Sequence, residues 1–199
     1  MSEEKPPSKT LFNRLSDKFF PKTLKPRAQL MQALKQAEDN LVIDPYSRAV
    51  IEGAMQVESL RVRDVMVPKS KMIMINSESS TKELLEVMVI SYHSRFPIHN
   101  LEQDSILGIV LAKDLLSHFS QDTKDEFNYK EYLREAFSVP ESKPLGALLR
   151  EFQQKKSHMA VVLDEYGEIA GLVTLEDVIE QIVGEIEDEH DKEEDNIID

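Results

Sequence analysis

Apolar positions fall in the same order twice along the middle of the chain. Leu84, Leu85 and Met88 stand at i, i+1 and i+4, as do Leu148, Leu149 and Phe152; that spacing predicts two helices with one buried face each. After each comes a short apolar run, "FPI" (96–98) and "MAVVL" (159–163). A polar stretch follows, "NLEQDS" and then "DEYGE", and a second apolar run ends in "GIVL" (108–111) or "GLVT" (171–174). Short apolar runs bounded by turn residues read as strands, and Gly167 can supply the positive φ of a tight turn. A second helical pattern closes each copy, and a Val-Pro segment leads into each. The unit is helix–strand–strand–helix, repeated.

The repeat holds residue by residue. Setting 94–119 above 157–182 puts Ser94 on Ser157, Gly108 on Gly171 and Asp114 on Asp177, all at an offset of 63. The helices upstream match after a slip of one residue, and Pro68 in "DVMVPKS" answers Pro140 in "AFSVPES". One copy of about 60 residues buries only about 60% of its unfolded surface and is marginal alone. Two copies packed sheet to sheet would share a core. The expected architecture is an α/β (α+β) pseudo-twofold domain, with a first repeat at 60–122 and a second at 123–184.

A helical lead-in at 27–59 precedes it. It contains "RAQLMQALKQAED" and "DPYSRAVIEGAMQVESL", the latter with Asp44 as N-cap and Pro45 at the first helical position. Residues 1–26 read as a flexible basic terminus, with seven Lys and Arg against three acids over 1–30. Residues 185–199 read as an acidic tail too charged to fold alone.

The formal net charge of −13 over 199 residues argues against a nucleic-acid surface, which needs clustered Lys and Arg. There is no cysteine, which excludes disulfides and thiolate chemistry and fits a reducing compartment. No apolar run approaches the roughly 18–20 residues that span a bilayer. The N-terminus has no signal-peptide pattern. A cytoplasmic chain is expected.

Thr174 and Asp177 carry the sharpest chemical signal, and it reads two ways. Thr-x-x-Asp at a helix start is a capping box. The same helix N-terminus offers free N–H groups and a positive dipole end, which suit a phosphate. In the first copy Leu111 replaces the threonine. Leu is a poor N-cap and has no hydroxyl, so Asp114 lacks its partner and that copy's site is degraded. Arg95 before an apolar strand is either solvated or positioned to fork onto phosphate oxygens. His158 at a strand edge reads as structural rather than a metal ligand. No spacing of the H-E-x-x-H kind and no nucleophile–base arrangement reads as metal-binding or catalytic, so an enzyme is not expected.

A tandem repeat ending in G-h-h-T-x-x-D (h apolar) resembles a CBS-domain pair, the Bateman module. "RVRDVMVPKSKMI", "SRFPI", "SHMAVVLDEYG" and "GLVTLEDVIEQIVGEIEDE" are together similar to the CorC/HlyC group, called magnesium and cobalt efflux proteins and related to the cyclin-M transporters. The resemblance implies an adenine nucleotide, AMP or ATP, with or without Mg²⁺, held between the repeats. It puts Thr174 near phosphate, Asp177 on ribose hydroxyls and Arg95 on the nucleotide. His93 stands where relatives carry an aromatic that stacks on adenine, with Ser94 and Pro97 in the same segment and Val67 and Pro68 walling the base.

It further implies a homodimer, a membrane transport partner and a role in magnesium and cobalt efflux. Many relatives carry a transmembrane domain first and a small domain after the acidic run; the sequence contains neither, so transport-linked function is not expected to be complete in it. The rival reading is a ligand-free dimerisation scaffold. A last segment, 9–22, sets Leu11, Phe12, Leu15, Phe19 and Phe20 on one helical face among Lys9, Arg14, Lys18 and Lys22. It reads either as a structural or frayed end or as a weak membrane-surface contact at the inner face of the membrane.

Overall fold

A computed structural model describes residues 26–120 and 128–184. The 9–22 segment and the acidic tail lie outside these. The chain divides after Glu52 into two units. The first holds α1 (Pro26–Asp39) and the start of α2 (Pro45–Val57), whose residues from Gly53 onward belong to the second. The Asp44 cap forms as expected: its carboxylate accepts from the Ser47 N–H at 2.8 Å and the Ser47 hydroxyl at 2.7 Å. The Ser47 amide is the main reason its pKa lies below the ordinary value.

The second unit holds two sheets. One is three-stranded, in the order β2 (Ile75–Asn76), β3 (Arg95–Asn100), β4 (Ser105–Leu111). The other runs β1 (Val67–Pro68), β7 (Ile169–Thr174), β6 (Met159–Leu163), β5 (Ser138–Pro140). Helices α3 (Thr81–Ser91) and α4 (Ala112–Ser120) belong to the first repeat, and α5 (Leu145–Lys155) and α6 (Leu175–Val183) to the second. The predicted faces are inside: Leu84 and Met88 are buried on α3, Leu148 and Phe152 on α5.

Register fixes how the copies correspond, and it relocates the one-residue slip. Both first helices end on a left-handed residue, Tyr92 (φ 56°) and Lys156 (φ 51°). Ile98 pairs with Gly108, and Val162 pairs with Gly171. Helix and first strand therefore share one offset, and the slip falls in the hairpin turn, which is one residue shorter in the second copy. The counterpart of Ser94 is thus His158, not Ser157. Each turn carries a residue at positive φ, Asp104 (46°) and Gly167 (83°), and each is begun by a side-chain amide or carboxylate oxygen, of Asn100 or Asp164, accepting from following backbone N–H groups.

The Pro68–Pro140 equivalence also changes. Pro140 lies in β5 beside β6, as Asn76 lies in β2 beside β3. Pro68 lies in β1, which pairs antiparallel with β7 of the other repeat. The lead-ins cross over. Val67 pairs with Leu172 on β7, and Arg134, from the second lead-in, bridges Ile109 on β4 through two 2.9 Å backbone hydrogen bonds.

The crossover extends into the cores. Val57 and Val62 are buried with Leu145, Leu148, Phe152, Val162, Val173 and Val178 of the second repeat, with Leu60, Val65 and Met66 packed against them. Tyr129, Tyr132 and Leu133 pack on the first repeat's Ile75, Leu84, Phe96, Ile98 and Val110. The expected shared core is only a third, small cluster of Ile109, Met159 and Leu172, edged by Val67, Met72, Leu111 and Ala136. Each repeat instead has its own core, completed by the other's lead-in.

Two glycines permit this. A Cβ on Gly171 would sit 2.3 Å from the Val67 carbonyl oxygen, and one on Gly108 2.6 Å from that of Arg134. Neither backbone can yield without breaking its pairing, of β1 with β7 or of Arg134 with Ile109. Gly171→Ala should therefore lower the urea midpoint by an amount equivalent to about 1–3 kcal/mol. Gly146→Ala on α5, where the nearest atoms stand at 4.0 Å, should be neutral or stabilising by up to about 1 kcal/mol. Equal, small effects would show that the crossing does not need the glycine.

One polar contact ties the first lead-in to the first hairpin. Asp104 accepts from Lys69 Nζ at 2.6 Å, and its other oxygen meets the Nε2 of buried His99 at 2.9 Å. The Lys69 hydrogen bond first, and His99 second, hold the Asp104 carboxyl below its ordinary value. A depressed carboxylate contributes stability above its unfolded pKa and loses it as pH falls through the folded one. Asp104→Asn keeps a residue tolerant of positive φ and removes the charge. Its stability deficit at neutral pH should close as pH drops below the ordinary carboxylate range; a deficit unchanged at acid pH would assign the effect to the turn.

Candidate functional site

The helix start at Thr174 forms the box that the sequence predicts. Thr174 is extended (φ −108°, ψ 164°), and its hydroxyl accepts from the Asp177 N–H at 3.2 Å. Asp177 Oδ2 accepts from the Thr174 N–H at 2.7 Å and from the Thr174 hydroxyl at 2.8 Å. The cap thus consumes one carboxylate oxygen. Oδ1 has no hydrogen bond among the described residues, so the Asp177 side chain retains a free charged acceptor fixed in direction by the other oxygen. Capping and ligand binding are compatible on the same pair.

This pair lines a cleft of about 360 Å³ between the repeats, within the size range of small-molecule sites. Val67, Met72, Ile73, Met159 and Leu172 supply apolar wall. Lys71, His93, Ser94 and Arg95 converge with Thr174, Glu176 and Asp177 as its polar groups. The crossover makes the site: Val67 reaches it only because β1 lies on β7, and Arg95 comes from the first repeat while Thr174 and Asp177 come from the second.

Of the nominated residues, Val67, His93, Ser94, Arg95, Thr174 and Asp177 meet here. Pro68 and Pro97 do not line the cleft. Pro68 alternates with Val67 across β1 and is exposed, whereas Pro97 shares the face of Arg95 but lies two residues further along β3, buried opposite Ile109.

The residues missed by sequence reasoning are Tyr92 and Glu176 above all. Tyr92 lines the cleft, is 92% exposed and ends α3 in the left-handed conformation. It stands one residue before His93, where the family pattern led to an expected aromatic. A bulky residue spared from the core next to a motif was the available signal. Glu176 has its carboxylate 3.6 Å from Arg95 Nη1 and 3.5 Å from His158 Nδ1; nothing in sequence pairs residues 81 positions apart.

The pseudo-equivalent position in the first repeat is closed. Asp114, the counterpart of Asp177, is buried and takes a two-pronged ion pair from Arg134. Arg134 occupies, on β4, the place that Val67 occupies on β7. The hydrogen bond with Asp114 holds its guanidinium above the ordinary value. Leu111 supplies no hydroxyl. The first copy has exchanged a cleft for a salt bridge.

Comparison with known proteins agrees with this architecture. The CBS domain family matches residues 62–121 and again 130–184. The magnesium and cobalt efflux protein CorC of Pasteurella multocida is 44% identical over 193 residues, covering 97% of this chain and 64% of that protein. The chain therefore spans just under two thirds of the curated relative. Among solved structures, the CBS domain of a bacterial CNNM/CorC family Mg²⁺ transporter in complex with ATP superposes with TM-score 0.66 and 37% identity, over 71% of this chain and all of that one. A CBS-domain pair with bound AMP from Klebsiella pneumoniae gives TM-score 0.55 and 31% identity, over 63% of this chain and 99% of that one. With its two crossed repeats and its Thr-x-x-Asp helix start, the chain belongs to the CBS-domain proteins of the CNNM/CorC family.

Proposed function

We propose that the cleft binds an adenine nucleotide, AMP or ATP, and that the chain acts as a regulatory module rather than an enzyme. The observation that carries this reading is the joining, in one cleft, of an apolar slot, a positioned carboxylate and a guanidinium. Asp177 Oδ1 is suited to accept from ribose hydroxyls, Arg95 to meet phosphate, and the N-terminus of α6 to face negative charge. Tyr92, rather than His93, is the aromatic suited to cover the base, with Val67 and Leu172 behind it. Solved relatives bound to ATP and to AMP support the ligand class.

Among the described residues no group of three or more His, Cys, Asp and Glu is arranged to hold a metal ion. Mg²⁺ is accordingly proposed to come with the phosphates rather than to a protein site. Nucleotide would shift the population between two packings of the repeats, and a transport partner in magnesium and cobalt efflux would sense it. No helix among the described residues is long and apolar enough to cross a membrane; the role proposed is at the cytoplasmic face. A homodimer completes the proposal.

Nucleotide at about 100 times its dissociation constant adds roughly 2.7 kcal/mol, a rise of about 5–10 °C in melting temperature for a chain of this size. No shift with millimolar AMP or ATP, with or without Mg²⁺, would leave the scaffold reading instead. Asp177→Ala should abolish the shift, whereas Asp114→Ala should lower the starting stability and leave the shift in place. Thr174→Val should cost about 0.5–2 kcal/mol without ligand through the lost cap, and it should also weaken binding. Equal loss of the shift in both aspartate variants would mean that both repeats hold ligand.

A further inference from the structure

Glu176 lies between two cationic or ionisable groups from different repeats. Its Oε1 is 3.6 Å from Arg95 Nη1 on β3 and 3.5 Å from His158 Nδ1 beside β6. The Glu176 side chain is 60% exposed and the His158 side chain 47%, while Arg95 is 28% exposed. Arg95 is thus the most buried of the three and Glu176 the most exposed. Glu176 lies against the guanidinium that a phosphate would need.

We infer that His158 is a positioning residue that makes nucleotide affinity depend on pH by deciding which partner holds Glu176. This rests on the nucleotide reading of the cleft. Imidazoles change charge between about pH 5 and 8. When His158 is neutral, Arg95 is the only full cation paired with Glu176 among the described residues, and the carboxylate competes with phosphate for it. When His158 is protonated, Glu176 has a second cation on its far side, and Arg95 is released to the ligand. Affinity should thus gain from His158 as pH falls.

The other charged and titratable groups of the cleft are Asp177 on α6, Tyr92 and His93 before β3, and Lys71 after β1. None of these bonds to Glu176. They and the nucleotide's own phosphate also titrate or bear charge, so the raw pH profile does not isolate His158. A comparison of variants does, because those contributions are common to each pair.

The test is calorimetric titration of AMP into the full chain at pH 6 and pH 8, for the wild type, His158→Gln, Glu176→Gln and the double variant. Exposed ion pairs contribute about 0.2–1 kcal/mol, so the wild type should bind AMP roughly 1.4- to fivefold more tightly than His158→Gln at pH 6. The two should agree at pH 8. In the Glu176→Gln background the His158 substitution should have no effect at either pH. A wild-type advantage that is the same at both pH values, or none at pH 6, overturns the inference. So does an advantage that survives in the Glu176→Gln background, since His158⁺ would then act on the phosphate directly. If the wild type binds neither AMP nor ATP at either pH, the nucleotide reading itself falls, an outcome distinct from binding that ignores His158.

Discussion

Each repeat's sheet is finished by backbone that belongs to the other repeat, and the rest of the structure follows from that crossing. β1 lies on β7, and Arg134 lies on β4, each against a glycine whose missing side chain leaves room for a carbonyl. The same lead-ins carry Val62 into one core and Tyr129 and Tyr132 into the other. A 60-residue copy is too small to bury its own apolar face; exchanging lead-ins gives each copy the missing side of its core. Separation of the repeats would expose both cores together. This makes the pair, rather than the repeat, the cooperative unit.

The crossing also sets the chemistry. It brings one lead-in residue from each side to equivalent positions beside the Asp of the final helix, and the identity of that residue decides what the position can do. Val67 leaves Asp177 with a free oxygen facing an apolar-walled cleft. Arg134 fills the other position and neutralises Asp114 with a bidentate pair. One backbone pattern has thus produced an open cleft on one side and a half-exposed ion pair on the other. The substitution of Thr174's counterpart by Leu111 agrees with this, since a sealed position has no use for a ligand-facing hydroxyl.

Much of this was legible along the chain because it is local. Helix faces at Leu84–Met88 and Leu148–Phe152, the Asp44 cap, the turn at Gly167 and the box at Thr174 each depend on residues within four or five positions. The Thr174, Asp177, Arg95, His93, Ser94 and Val67 set emerged from motif and resemblance, and these residues meet in one cleft. What was not legible is non-local. The place of the one-residue slip depends on strand pairing, so Ser157 stood where His158 belongs. Val-Pro at 67–68 and 139–140 looks alike as sequence, yet one segment crosses to the other repeat and one does not. Arg134 carries no motif at all; only its bridge to Ile109 shows why Asp114 is closed. Pro68 alternates away from the face that Val67 presents, and Pro97, on the face of Arg95, is buried against β4 further along the strand.

The central claim is that one of two pseudo-equivalent positions is an open site and the other is held shut by Arg134. The most direct measurement is the stoichiometry of AMP binding by isothermal titration calorimetry on the wild-type chain and on a variant carrying Arg134→Val with Leu111→Thr. The account predicts one nucleotide per wild-type chain, and a second, weaker site in the folded variant. Two equal sites per wild-type chain would contradict it.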